Sequence, residues 1–234
     1  MAQVTALETL EREVERIGAR PAASYASVVV PTGLQILDDL LPNGGLPRGR
    51  VVEWSGPASS GKTAVLRASL ERLRGDGESV ALIDGTGALY APDWVRLVPG
   101  EGEFWVVRPD SAAEATWCAD LLLRSGAFGA VALRIAEPAA TPLGRGASVR
   151  LQRLAEEAAA VFVTVGHAAI AALRLGFRPG HIEPLMNTGF GPFLPPVRPV
   201  WIRVGKRGAT EVPVLCPIAP HRRLPATRDR KGPL

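Results

Sequence analysis

The sequence is short of the residues that staple small secreted domains and of those that span membranes. Its two cysteines, Cys118 and Cys216, are too few for a disulfide framework or a structural zinc site. The longest nearly uncharged apolar stretch, Val161 to Leu173, has 13 residues and is interrupted by His167, too little to cross a bilayer. The opening MAQVTALETLEREVERI lacks a basic start and an apolar core, so no secretory leader is expected and the expected location is cytoplasmic. Lysine is scarce as well, with 24 of the 27 basic residues being arginine. What remains is ordinary: 47% hydrophobic and 21% charged residues exclude a mostly disordered chain, a coiled coil and a collagen-like fibre. A length of 234 residues fits one large domain or two small ones.

Charge is distributed unevenly. Residues 198–234 hold nine basic and two acidic side chains, whereas the first 197 hold 18 basic and 21 acidic. Such a basic end suits nucleic acid or an acidic protein, and equally a solvated tail in an arginine-rich chain.

Along the chain, Leu7, Leu10, Val14 and Ile17 make a narrow apolar stripe on a charged helix over Thr5 to Ile17, ended by Gly18 and Pro21. That helix packs either on its own domain or on a neighbour. Ser27 to Val30 reads as a strand, and a helix bracketed by turn residues is expected within Pro31 to Arg50. Strands follow at Val51–Trp54, Val80–Asp84, Phe104–Arg108, Ala130–Ile135 and Val161–Val165. Helices are expected at Thr63–Arg74, from a capping box of Ser111 and Glu114 to about Arg124, and at Ser148–Ala160. Alternating strands and helices imply a parallel sheet flanked by helices. Pro199–Val204 and Glu211–Cys216 flank Gly205-Lys206-Arg207-Gly208 as a β-hairpin, and a disordered tail is expected beyond.

One motif carries chemistry. Gly56-Pro57-Ala58-Ser59-Ser60-Gly61-Lys62-Thr63 matches the phosphate-binding loop G-x-x-x-x-G-K-[ST]. Glycines let successive N–H groups turn inward onto phosphate oxygens, and the helix that starts there adds its positive end. Gly56, Ser59, Ser60, Gly61, Lys62 and Thr63 are the candidate ATP-binding residues, with Lys62 reaching the outer phosphates and the Thr63 hydroxyl holding Mg²⁺. The apolar strand before the loop and the helix after it are the context this chemistry needs. Binding alone is not hydrolysis, which also needs an acidic Mg²⁺ partner and a group that orients water.

From Pro31, the run PTGLQILDDLLPNGGLPRGRVVEWSGPASSGKT resembles the corresponding part of bacterial RecA recombinases. ALIDGTGAL (Ala81 to Leu89) resembles that family's FIDAEHAL, and Pro109-Asp110, Cys118, Asp120 and Arg124-Ser125-Gly126-Ala127 resemble its helix ending in RSGA. The resemblance covers roughly residues 28–165 and implies an α/β fold, a RecA-like P-loop core with a mostly parallel sheet flanked by helices and a C-terminal β-hairpin. It also implies three departures. The family's water-activating glutamate falls on Thr86, two residues after Asp84. Its second acidic position falls on Arg134, where a cation repels Mg²⁺ but could itself contact a γ-phosphate. Its nucleotide-sensing glutamine falls near Val165. Losing the base alone costs about 10²–10⁴-fold in rate, so ATP binding with little or no hydrolysis is expected and no catalytic residue is assigned. Glu137 is the carboxylate that could rescue activity.

A short, catalytically degenerate RecA relative with a basic end resembles the ImuA family. That resemblance implies an accessory role in damage-induced (SOS) translesion DNA synthesis and mutagenesis. The implied partners are ImuB, an inactive Y-family polymerase relative, together with RecA and an error-prone C-family DNA polymerase. The implied division is residues 1–30 as a docking element, 31–216 as the ATPase core and 217–234 as a basic tail. The recombinases' two DNA-binding loops would fall at Glu137–Ala147, with Arg145, and at Leu173–Pro196. The latter mixes Arg174 and Arg178 with Phe177, Phe190 and Phe193 in a segment expected to lack its own structure. Two arginines offer few phosphate contacts, which favours a protein partner over DNA there. His167 and His181 read as isolated structural residues, and the five tryptophans as core or interface. The alternatives are a small DNA-dependent ATPase or recombinase and a cell-division inhibitor of the SulA type, the latter disfavoured by the complete loop.

Overall fold

Runs of β-branched and apolar residues, most followed by a stretch of helical period, assemble into one large sheet with helices on both faces. The computed structural model describes residues 6–18, 28–135, 143–180, 197–205 and 211–217. In chain order these form helix α1 (Ala6–Ile17), strand β1 (Val29–Val30), helix α2 (Gln35–Asp38), strands β2 (Leu46–Pro47) and β3 (Arg50–Ser55) and helix α3 (Lys62–Gly75). Strands β4 (Val80–Asp84) and β5 (Phe104–Val107), helix α4 (Ala112–Arg124), strand β6 (Ala130–Arg134) and helix α5 (Arg145–Ala158) follow. Strands β7 (Val161–Val165), β8 (Leu173–Pro179), β9 (Val197–Val204) and β10 (Glu211–Pro217) complete the described chain. Short 3-10 segments occupy Pro42–Gly44 and Ala91–Leu97.

β1 and β2 make a small antiparallel pair, while the other eight strands form one sheet in the order β10-β9-β8-β3-β7-β6-β4-β5. Every pairing from β8 to β5 is parallel, and β9 and β10 extend the sheet as an antiparallel hairpin. This is the α/β architecture expected from the sequence. Strands covered on both faces are apolar on both, and β4 and β7 are buried along their whole length. On one face Val52, Trp54, Leu82, Ala132 and Val163 form a core with Leu66, Leu70 and Leu73 of α3. On the other, Val51, Ile83, Val131 and Phe162 join Leu122 of α4 and Leu151 of α5. No described helix is long and apolar enough to cross a membrane.

The stripe of α1 packs on this second core. Val14 is buried in it, and Leu7, Leu10 and Ile17 join the cluster that holds Trp105 and Trp117, with Arg16 Nη2 3.9 Å from Glu103. α4 opens on the expected cap: the Ser111 hydroxyl accepts from the Glu114 N–H at 3.1 Å. Glu114 reaches back to accept from the Asp110 N–H at 2.8 Å.

Two expectations change. The helix sought in Pro31–Arg50 shrinks to Gln35–Asp38, because Pro42-Asn43-Gly44 turns the chain with Asn43 at φ 59°. Asp38 also spends one carboxylate oxygen on the Thr32 N–H and hydroxyl, both at 2.7 Å, which pins the turn instead of extending a helix. The segment from Leu173, expected to be a loop, begins as strand β8 between β3 and β9, with Leu173, Leu175 and Phe177 alternating into the core.

Candidate functional site

The phosphate-loop motif occupies the junction where β3 ends and α3 begins. Two glycines fit it against neighbouring strands. A Cβ on Gly56 would stand 2.4 Å from the Phe177 carbonyl oxygen of β8, and one on Gly61 would stand 2.3 Å from Val200 Cγ2 of β9. Gly61, at φ 91°, is also the N-cap of α3, and no side chain caps that helix. The first N–H groups of α3 are therefore available to an anion, reinforced by the helix dipole. Ser59 adopts φ 59°. Ser60 is buried, and its hydroxyl has no hydrogen-bond partner among the described residues. Lys62 Nζ donates to the carbonyls of Gly56 at 2.5 Å and Pro57 at 3.1 Å, folding back over the loop. Thr63 follows in the first turn, half-buried. The six candidate residues thus share one loop-to-helix junction.

The neighbouring positions are occupied differently from an acidic site. Trp54, Val165, Arg134 and Asp84 lie in one register row across β3, β7, β6 and β4. Asp84 is buried, and both of its oxygens are engaged. Oδ1 accepts from the Thr86 hydroxyl at 2.6 Å and from Arg134 Nη1 at 3.3 Å. Oδ2 accepts from the Leu89 N–H at 2.8 Å and lies 3.9 Å from Arg108 Nε. One carboxylate facing two guanidiniums leaves this cluster positive. Val165 is a buried core residue with no polar function. No group of three His, Cys, Asp or Glu that could hold a metal occurs among the described residues. Asp84 and Arg134 each close a strand in the sequence, but only the strand order makes them neighbours.

On the opposite face of β3, buried Glu53 accepts from the Ala168 N–H at 3.0 Å and pairs with Arg174 of β8, and His167 Nδ1 lies 3.7 Å from its Oε1. His167 is exposed and beside a carboxylate, so it is not isolated. Phe177 is buried with its ring 5.2 Å from that of Trp54, so it cannot stack on bases as the loop reading required. Arg174 is committed to Glu53, and Arg145 opens α5 as an exposed residue. Trp54 and Trp94 are core residues, while Trp105, Trp117 and Trp201 are half-buried. Glu137, His181, Phe190, Phe193 and the basic tail lie outside the described residues.

Beside Asp84, a groove of about 610 Å³ lined by Trp94, Val98, Phe104, Val106 and Arg108, among others, runs along β5, the outer strand of the described sheet. Burial, with Glu114 adding to it, pushes the Cys118 thiol up to about 11, which makes it a core residue and not a nucleophile.

The chain is 40% identical over 121 residues to Protein RecA of Salinispora tropica, covering 51% of this chain and 34% of that protein. It is 38% identical over 133 residues to Protein RecA of Cutibacterium acnes, covering 54% and 37%. Protein RecA of Treponema pallidum is 41% identical over 102 residues, covering 42% and 24%. The chain thus spans about a third or less of the length of these relatives. Residues 7–142, from within α1 past the end of β6, match the RecA N-terminal domain, and by that match over more than half of its 234 residues the chain belongs to the RecA N-terminal domain family.

Proposed function

We propose that this chain is a RecA-family accessory protein that binds ATP through Gly56, Ser59, Ser60, Gly61, Lys62 and Thr63 and hydrolyses it slowly or not at all. The observation that carries the reading is the Asp84–Arg134 ion pair, with Thr86 bonded to the same carboxylate. At the three positions where the resemblance expects a base, an acid and a glutamine, the chain has a hydroxyl tied to a carboxylate, a paired guanidinium and a core valine. A polyphosphate fits the junction: the α3 N-terminus is uncapped and the buried Ser60 hydroxyl lacks a partner among the described residues. Mg²⁺ does not fit it equally well. Thr63 supplies one oxygen, but the acidic partner is replaced by Arg134 and the nearby Asp84 is fully committed, so no step through the metal is derived.

The finer role is that of the ImuA family: assistance to damage-induced translesion synthesis through an ImuB-like inactive polymerase relative, RecA and an error-prone C-family polymerase. Support comes from the sequence resemblance, the basic residues 198–234 and the apolar groove along β5. In this reading residues 1–30 are the docking element on the core of 31–216, and α1 must leave its own core before it can engage another. Pull-down and interferometry with the purified ImuB-like protein and RecA test this, and binding to neither would contradict it. The second reading, a DNA-dependent ATPase or recombinase, is favoured by the intact Lys62 and Thr63 and by relatives named Protein RecA. Phosphate release with and without single-stranded DNA separates the two.

A further inference from the structure

We propose that this site takes the phosphates of a nucleoside di- or triphosphate without a divalent cation, with Arg134 supplying charge that a metal would otherwise bring. The inference rests on the reading of the loop as a nucleotide site.

Three observations carry it. First, position: Arg134 is in register with Val165, which is in register with Trp54, two residues before the loop begins. Two strand spacings separate its backbone from that of β3, about 10 Å, within the combined reach of an arginine and a triphosphate. Second, direction: side chains alternate along a strand, and Ala130 and Ala132 of β6 lie in the core cluster that holds Leu66 and Leu70 of α3. Arg134 therefore belongs to the sheet face covered by the loop's own helix. Third, the acid in this row is already paired. Asp84 has a hydroxyl, a backbone N–H and two guanidiniums on its two oxygens, leaving no free carboxylate to draw a metal.

Charge decides between cation and metal. A guanidinium about 10 Å from a divalent cation, at an effective dielectric near 20, weakens the hold on that cation roughly 300-fold. The same charge attracts phosphate oxygens, where arginine forms strong paired hydrogen bonds. Turning Arg134 from Asp84 to phosphate breaks one 3.3 Å contact and leaves Asp84 with Thr86, Leu89 and Arg108. Nucleotide binding would thus exchange one ionic partner of Arg134 for another and leave no buried charge stripped.

The test is equilibrium binding of labelled ATP and ADP to the full chain in excess EDTA and in saturating Mg²⁺. The wild type is expected to bind with affinities within about twofold in the two conditions. Arg134→Gln is expected to lose roughly tenfold or more in EDTA, one charge-assisted contact, and to regain part of it with Mg²⁺. Arg134→Lys keeps the charge and is expected to retain metal-independent binding. Wild-type binding that tightens tenfold or more with Mg²⁺ overturns the proposal, a comparison that needs no variant to fold. Absence of binding in both conditions, or binding unaffected by Lys62→Ala, overturns the nucleotide reading itself and is a distinct result.

Discussion

Replacing Arg134 with leucine removes one of the two cations that face Asp84. The carboxylate side chain is fully buried, and Arg134 itself is 15% exposed. Leaving a buried charge without any partner costs about 3–5 kcal/mol. Here the Thr86 hydroxyl, the Leu89 N–H and Arg108 remain, so the loss is that of one charge-assisted bond, about 2 kcal/mol. Arg134→Leu combined with Asp84→Asn is expected to cost less than the sum of the two single changes, by about 1 kcal/mol or more, because the pair is broken once. Urea unfolding followed by tryptophan fluorescence reads both quantities from the midpoint at constant m. A single variant within about 0.5 kcal/mol of wild type, or a strictly additive double variant, would refute the claim that Arg134 is the structural partner of Asp84.

Other outcomes follow from the same packing. Gly61→Ala forces a side chain into φ 91° and onto Val200, and is expected to cost about 2 kcal/mol or more; Val200→Ala should restore only part, since it relieves the contact and not the backbone strain. Full recovery would contradict this. Arg74 is buried and donates to the carbonyls of Leu97 at 3.0 Å and of Val98, Pro99 and Gly100 at 3.3 Å, as well as to Glu101. Arg74→Leu should destabilise by about 3 kcal/mol and speed amide exchange around residues 97–103, and unchanged exchange there would contradict it. The Cys118 thiol, raised from about 9 to about 11, holds its proton more tightly folded than unfolded. Its contribution to stability is complete below pH about 9 and is lost as the pH climbs toward about 11. In a Cys216→Ser background iodoacetamide should label Cys118 slowly in the native protein and rapidly in urea, whereas fast native labelling would show the thiol to be reactive.

Much of this architecture was legible. Strands β3, β4, β6 and β7 are short apolar runs bounded by glycine or polar turns, and interior parallel strands read that way because both faces are covered. β8 does not read as a strand from the sequence, although Leu173, Leu175 and Phe177 alternate into the core as a strand should. Gly176 and Pro179 among them, and the proline- and glycine-rich stretch after them, carried the signal of a loop. Its place between β3 and β9 is a tertiary fact. The stretch Pro31–Arg50 reads as a longer helix than it forms, because the Thr32–Asp38 bonds and the turn at Asn43 depend on contacts six residues apart and on a left-handed backbone. At the site, the loop and the replacements Thr86 and Arg134 could be read from the sequence. The ion pair between β4 and β6 could not, because nothing local says which strand ends lie side by side.

A P-loop that holds nucleotide without turning it over should bind ATP yet release little phosphate. The measurement that bears on it most directly is phosphate release by the ATP-loaded full chain, with and without single-stranded DNA, beside Lys62→Ala. ATP binding is expected to depend on Lys62, and phosphate release to be no faster than in Lys62→Ala and unchanged by DNA. DNA-stimulated, Lys62-dependent release would contradict it and make the chain an active recombinase-type ATPase.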